Sequence, residues 1–440
     1  MENKDDEIGG LTLRQQKILN GLNYESLPET TVATSRTFKR QFFQKNSYDA
    51  SNSQAICDWN TGAEFVNAKR SYLKLKVKTS AQANFGVGGV TNLIRRVVIT
   101  SRSGSELSRT EDYNKLAPKL LRYGCSRDYV EQFGELMGYS NEPTEIETDH
   151  DQLSAGRVFL IPLPVLSPFF QGDGASLVPA QLSAGLRVEL TLESNQRALL
   201  SEVTPTYEIE EISFMLNTTS MVDSWQRQLN EESARDGLTY TYAEWHTTQS
   251  ALPSSGTQIN IQVRKAVADA MCAFVITQSQ TSTDATPIAG PATDDYKIDN
   301  MKSDAYEATS VEWRLGSMYP YQQPIKNGEE MYFQAQNMWD ADIMDCKRSN
   351  DVSLRSFKES TQPTTTVSAR DGDAIVAVSL ERNDVRVNDI LNIGGLPTNN
   401  SRSLNVDMTL TPKLATRQNY LFMKHLRIAK IYLDNVSTAE

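Results

Sequence analysis

From Asn67 to Lys78 the chain reads Asn-Ala-Lys-Arg-Ser-Tyr-Leu-Lys-Leu-Lys-Val-Lys. Tyr72, Leu73, Leu75 and Val77 sit among Lys74, Lys76 and Lys78 in near-strict alternation, an apolar row on one face and cations on the other. A period of two belongs to a half-buried strand and excludes a helix here. Gly86-Val-Gly88-Gly89 follows. It lacks the third glycine of a dinucleotide fingerprint, so it reads as a hairpin turn and not as a phosphate cradle. Leu93 to Thr100 is a β-branched run that reads as the second strand. Ser108-Arg-Thr-Glu111 has the spacing of a capping box and predicts a helix carrying Tyr113, Leu116, Leu120 and Leu121. Pro118 within it predicts a kink or two short helices.

The same alternation returns along the chain. Leu186, Val188, Leu190 and Leu192 alternate with Arg187, Glu189, Thr191 and Glu193. Strands are also predicted around Val158 to Pro162, Tyr207 to Thr219, Leu238 to Trp245, Thr257 to Val263 and Ala273 to Thr277. Further ones lie near Ser310, Ala374 to Leu380, Leu404 to Leu410 and Leu426 to Leu433. Helices are predicted over Arg127 to Met137, with Gly138 as cap, and over Met331 to Trp339. No strand–helix–strand rhythm appears. The pattern is all-β, antiparallel sandwiches or jelly rolls with a few short helices in the connections. The polar stretch Asp223 to Gly237 reads as a helix between two β halves. The expected organisation is an N-terminal arm over 1–50, a first barrel over 51–222, a linker helix over 223–237 and a second barrel over 238–440.

The length of 440 residues exceeds what one ordinary core organises. No apolar run approaches the roughly 20 residues of a membrane span. The first ten residues lack the basic start and apolar core of a secretory leader, so synthesis in a reducing compartment is expected. Cys57, Cys125, Cys272 and Cys346 are far apart and read as free thiols, mostly buried. The net charge of −11 excludes a nucleic-acid binder that uses its whole surface. A local exception is Arg36-Thr-Phe-Lys39-Arg40-Gln-Phe-Phe-Gln-Lys45, within the expected arm. Arg36, Lys39, Arg40 and Lys45 could face packaged nucleic acid. The alternative is a strand or arm that docks Phe38, Phe42 and Phe43 on a neighbouring subunit. The segment before it, with Leu11, Leu13, Ile18, Leu19 and Leu22, suggests a short amphipathic helix.

Nothing in the sequence is arranged for catalysis. His150, His246 and His425 are isolated from one another and from any cysteine cluster, which speaks against zinc. No nucleophile elbow or Walker sequence occurs. Asp340, Asp342 and Asp345 do not fit a calcium loop. No cofactor, metal or enzymatic activity is expected. Long polar stretches, Gln278 to Asp295 and Ser349 to Asp373, read as exposed loops.

Four stretches together resemble the double jelly-roll major capsid proteins of small eukaryotic DNA viruses: polinton-like viruses, virophages and the adenovirus-type lineage. They are the Ser71 to Val77 strand leading to Leu93-Ile94, Ser103-Gly104 and Tyr113-Asn-Lys-Leu116; Ile161-Pro-Leu-Pro with Leu177-Val-Pro and Gly185 to Leu190; Leu315-Gly-Ser-Met-Tyr-Pro-Tyr-Gln-Gln-Pro-Ile325; and Ala374 to Arg382 with Gly394-Gly-Leu396 and Asn400 to Leu404. The resemblance implies two jelly-roll barrels in one chain. It further implies homotrimers forming pseudo-hexameric capsomers that tile an icosahedral shell around DNA. Expected partners are other copies, neighbouring capsomers, minor capsid or penton proteins, and packaged DNA through the arm on the inner side. The expected location is the virion, after synthesis in the host cytoplasm. Met318, Tyr319, Tyr321 and Trp339 suit subunit contacts, with core packing as the alternative. A competing reading is a minor capsid, spike or carbohydrate-binding β-sandwich module.

Overall fold

In this computed structural model, the structure describes residues 33–139, 153–199, 205–279, 303–339, 350–358, 372–381 and 395–439, less a few positions inside these spans. The expected helix near Leu11 to Leu22, most of the two long polar stretches, His150, Cys346 and the Asp340 to Asp345 group lie outside the described residues.

Among the described residues the first half carries ten strands: β1 (Ala33–Phe42), β2 (Tyr48–Asp49), β3 (Gln54–Asp58), β4 (Phe65–Thr79), β5 (Ile94–Thr100), β6 (Glu106–Thr110), β7 (Arg157–Pro162), β8 (Leu177–Val178), β9 (Arg187–Leu192) and β10 (Tyr207–Met221). The second half carries β11 (Leu238–Leu252), β12 (Gln258–Val263), β13 (Val267–Ser279), β14 (Ala308–Leu315), β15 (Val376–Ser379), β16 (Leu396–Thr398), β17 (Leu404–Leu410), β18 (Arg417–Ile431) and β19 (Val436–Ala439). The described helices of seven residues or more are α1 (Tyr113–Gly124), α2 (Arg127–Phe133), α3 (Asp223–Arg235) and α4 (Gly328–Met338).

The first half folds into two facing sheets, β1-β10-β4-β7 with β2 and β8 attached, and β3-β9-β5-β6. The second half repeats the plan with β11-β18-β13-β15, joined by β16 and β19, against β12-β17-β14. The strand pairs are antiparallel, as expected for jelly rolls. In β4, Leu73, Leu75 and Val77 are fully buried, while Lys76 reaches Glu210 across the sheet at 2.6 Å and Lys74 reaches Glu211 at 3.4 Å. The pleat thus sends apolar side chains into the barrel and exchanges opposite charges on the outside.

Three local expectations are corrected. The strands flanking the glycine turn do not form a hairpin: β4 pairs with β10, β7 and β8, while β5 pairs with β6 and β9 in the opposite sheet. The chain therefore crosses the barrel between them, through a 3₁₀ turn at Gly89–Leu93. The capping box does not form either. Ser108 lies in β6 opposite Ile99, and α1 starts after Asp112, whose φ of 51° makes it the one non-glycine in the left-handed region among the described residues. Finally, residues 33–49, inside the expected arm, belong to the first barrel: β1 pairs along β10 from Ala33 to Phe42, and β2 pairs with β10 as well. Pro118 sits inside a single helix.

Each barrel encloses its own apolar core. The first is centred on Trp59, Phe170 and Phe214, and the second on Trp245, Phe274 and Trp313. Helix α1 belongs to both. Tyr113 and Ala117 enter the first core, while Leu116 and Tyr123 enter the second. Strand β11 contributes in the same way, since Tyr240 and Tyr242 pack in the first core and Trp245 in the second. The Tyr240 hydroxyl donates to the Phe169 carbonyl at 2.7 Å and the Tyr242 hydroxyl to that of Leu107 at 2.5 Å, which fixes β11 against the first barrel.

Candidate functional site

A buried polar constellation lies on this seam. Glu244 of β11 is 3% exposed. Its Oε1 accepts the Arg109 backbone N–H at 2.7 Å. Its Oε2 faces Arg427 Nη1 at 3.1 Å, Lys265 Nζ at 3.5 Å and His425 Nε2 at 3.5 Å. Arg427 also donates to the Leu107 carbonyl at 2.8 Å. Arg109 and Leu107 belong to the first barrel, so one carboxylate gathers donors from both. A second buried cluster ties Arg417 to Asp304 at 2.7 Å and to Glu307 at 2.8 Å within the second barrel. A buried charge persists only when paired and hydrogen-bonded, and both clusters meet that condition. They are locks and offer no open position for a reacting group.

His425 is fully buried. Burial, reinforced by the charges of Lys265, Arg427 and His246, pushes its pKa down to about 3. The hydrogen bond with the Leu426 carbonyl pulls the other way and does not prevail. The folded chain therefore holds His425 neutral, whereas the unfolded chain takes up a proton near pH 6.5. The stability from this site is present above that pH and is lost as the pH falls toward 3. The expected loss is on the order of a few kcal/mol. Thermal unfolding of the wild type and of His425→Asn at pH 7 and pH 4 checks it: the variant should lose less of its midpoint on acidification than the wild type does.

The other candidates sort by burial. Burial pushes the Cys57 and Cys272 thiols up to about 12 and Cys125 to about 11, so they stay protonated and unreactive at neutral pH. No cluster of potential metal ligands occurs among the described residues. No described helix is long and apolar enough to cross a membrane.

Arg36, Lys39 and Arg40 lie on β1, and Lys45 follows it. Lys39 pairs with Glu64 at 2.9 Å, and Arg40 pairs with Glu211. Arg36 donates to Asn217 at 2.9 Å and Lys45 to Asn52 at 2.8 Å. Phe43 points inward and stacks on Phe214, while Phe38 and Phe42 are 55% and 63% exposed. Met318 and Tyr319 are exposed in the turn after β14. Tyr321 and Trp339 are not placed with them. Tyr321 donates to Gln334 at 3.1 Å and packs on the second core. Trp339 packs there too, 6.3 Å from Tyr123 and 6.1 Å from Trp245 between ring centroids.

Sequence reasoning missed the Glu244 hub. The available signal was a histidine and an arginine at alternate positions of a strong strand, His425 and Arg427, alternating with apolar Leu426 and Ile428. Alternation alone reads that pattern as apolar side inward. The structure has the reverse, with Ile428 40% exposed and Arg427 buried.

The architecture defines a double jelly roll, two barrels in one continuous chain. Solved structures with this fold match nearly the whole length. The chain is similar to the major capsid protein of Faustovirus, at 8% identity and a TM-score of 0.62 over 96% of this chain and 94% of that one. It is similar to the capsid of the PBCV-1 virus, at 12% identity and 0.62 over 95% and 99%. It is also similar to the mavirus major capsid protein, at 11% identity and 0.53 over 95% and 92%. At these identities the likeness is one of fold. No protein-family model matches the sequence, and no curated protein matches it.

Proposed function

We propose that the chain is a structural capsid subunit of a DNA virus, and that copies of it associate as homotrimers into pseudo-hexameric capsomers of an icosahedral shell. The observation that carries this reading is the pair of barrels in one chain, joined through α1 and the β11–β18 seam. Each barrel sets a six-stranded sheet against a smaller one, so three chains would supply six units of one plan to a lattice. The fold likeness to viral capsid proteins over 95% or more of the chain supports the same reading. The role is mechanical and not catalytic, in keeping with ionisable groups that are buried in pairs and thiols that stay protonated. Contacts with minor capsid proteins and location in the virion belong to this proposal.

Light scattering on the purified chain, with negative-stain microscopy of the same sample, tests it. The expected result is a mass near three chains and compact particles of hexagonal outline. A monodisperse single chain at all concentrations would overturn the proposal. Contact with packaged DNA through Arg36, Lys39, Arg40 and Lys45 is the less favoured use of that cluster, because Glu64 and Glu211 already neutralise two of its four cations.

A further inference from the structure

At the end of the first barrel where β3 and β5 finish and β9 begins, a cleft of about 910 Å³ opens. The β3–β4 loop, the β5–β6 turn, the short helix Ala180–Ser183 with the turn that follows it, α3 and the chain after β18 meet around it. Its large apolar lining residues, Trp59, Leu182 and Val436, belong to the first core and are buried. What a ligand meets is polar. Asn60, Arg102 and Ser103 are exposed, and Gln181, Gln226, Asn230 and Tyr432 are half-buried.

These groups are held in place without being used up. Gln226 Nε2 donates to the Ala63 carbonyl at 2.9 Å, and Gln181 Nε2 donates to Asn230 Oδ1 at 2.7 Å. Each bond occupies one end of a carboxamide, so Gln226 Oε1, Gln181 Oε1 and Asn230 Nδ2 keep their capacity. The Ser101 and Ser103 hydroxyls lie 2.9 Å apart. The stem of Arg102 crosses Gly185, where a Cβ would stand 3.0 Å from Arg102 Cγ, so a side chain there would displace the arginine. The Arg102 guanidinium has neither an ion pair nor a hydrogen bond among the described residues. Asp58 and Glu64, at the two ends of the β3–β4 loop, are already held by Arg187 at 2.7 Å and by Lys39 at 2.9 Å. No carboxylate occurs among the described residues that line the cleft.

We infer that this cleft binds a saccharide bearing a carboxylate, of the sialic or uronic acid kind. An apolar ligand finds the large apolar side chains already buried in the core. A cation meets an arginine and no lining carboxylate. A nucleic acid is held by several phosphate contacts, and one guanidinium supplies too few. Sugar hydroxyls both donate and accept, and side-chain amides and serines answer them in kind, with the Tyr432 ring as an aromatic surface. The arginine fork then selects a carboxylate among such ligands. The volume is that of a small-ligand site, roughly 300–1,000 Å³. The inference does not rest on self-association: it adds a recognition site to the subunit and leaves its structural role as proposed.

Saturation-transfer NMR titrations of the full-length chain test it with N-acetylneuraminic acid, glucuronic acid, glucose and acetate at millimolar concentration. Near-UV circular dichroism serves as the fold control. The wild type should bind at least one of the acidic sugars, glucose more weakly and acetate weakest. Arg102→Gln should weaken the acidic sugar about tenfold and leave glucose unchanged. Ala63→Trp, at an exposed position of the lining, should abolish binding of both. The tighter of the two acids identifies which kind of acidic sugar the cleft takes. Silence from every sugar, or acidic-sugar binding that either substitution leaves intact, would overturn the inference. Acetate bound as well as the acidic sugars would reduce the cleft to a simple anion site and remove the saccharide. None of these outcomes bears on the light-scattering mass that decides self-association.

Discussion

Glu244→Ala is expected to lower the free energy of unfolding by about 3–5 kcal/mol, because it strands charges already removed from water. Arg427 would keep its bond to the Leu107 carbonyl but lose its counter-charge while remaining 8% exposed. The Arg109 N–H would lose its acceptor at the edge of the first barrel. Breaking one side of a buried pair costs the full desolvation of what remains, whereas surface pairs contribute about 0–1 kcal/mol. Arg235→Ala, which removes an exposed pair with Asp236, is thus the fitting control. Urea unfolding of both variants gives the comparison. A Glu244→Ala loss no larger than that of Arg235→Ala would show that the hub contributes nothing to holding the barrels together.

Phe274→Ala is expected to cost about 3–5 kcal/mol by opening a cavity in the second core. Phe274 is fully buried and packs against Trp245, Trp339 and Phe422, with ring centroids 5.5, 6.0 and 5.2 Å away. Its neighbours come from β11, β18 and the end of α4, so the site cannot collapse by moving one element. Phe38→Ala removes the same atoms from an exposed ring and should stay within about 0.5 kcal/mol in the dissociated chain. Equal losses for the two would contradict the packing described.

The strands were legible where one face meets the core and the other meets water. In β4 the lysines mark the outside directly, and in β9 the charged partners of Val188 and Leu190 do the same. Legibility failed where tertiary partners override local spacing. Ser108 and Glu111 have the separation of a helix cap, but the pairing of β6 with β5 claims Ser108 first. The glycine turn looked like a hairpin because sequence shows turn chemistry and not which sheet the next strand joins. Of the site residues, the cationic and aromatic character of the stretch from Arg36 to Lys45 was visible. Its division into an outward Arg–Phe row and an inward Phe43 required the register with β10. The hub at Glu244 was hidden because its inward side chains are polar, and part of their satisfaction comes from the Arg109 N–H and the Leu107 carbonyl of the other barrel.

The placement of β18 has a consequence for how the chain reaches this structure. This strand lies between β11 and β13 and pairs with both, joining Leu238 to Ile431 and Ser279 to Arg417. Both partners precede it by more than a hundred residues during synthesis. Most of the first barrel can form on the ribosome, short of Ala429, Ile431 and Val436, which complete its core, while the second waits with two long, apolar, unpaired strand edges. Closing such distant pairs is slow, and open edges recruit other chains in the meantime. The interval between synthesis of β13 and of β18 is therefore when this protein is most exposed to misassembly, and chaperone dependence should map to the second half of the chain and not the first.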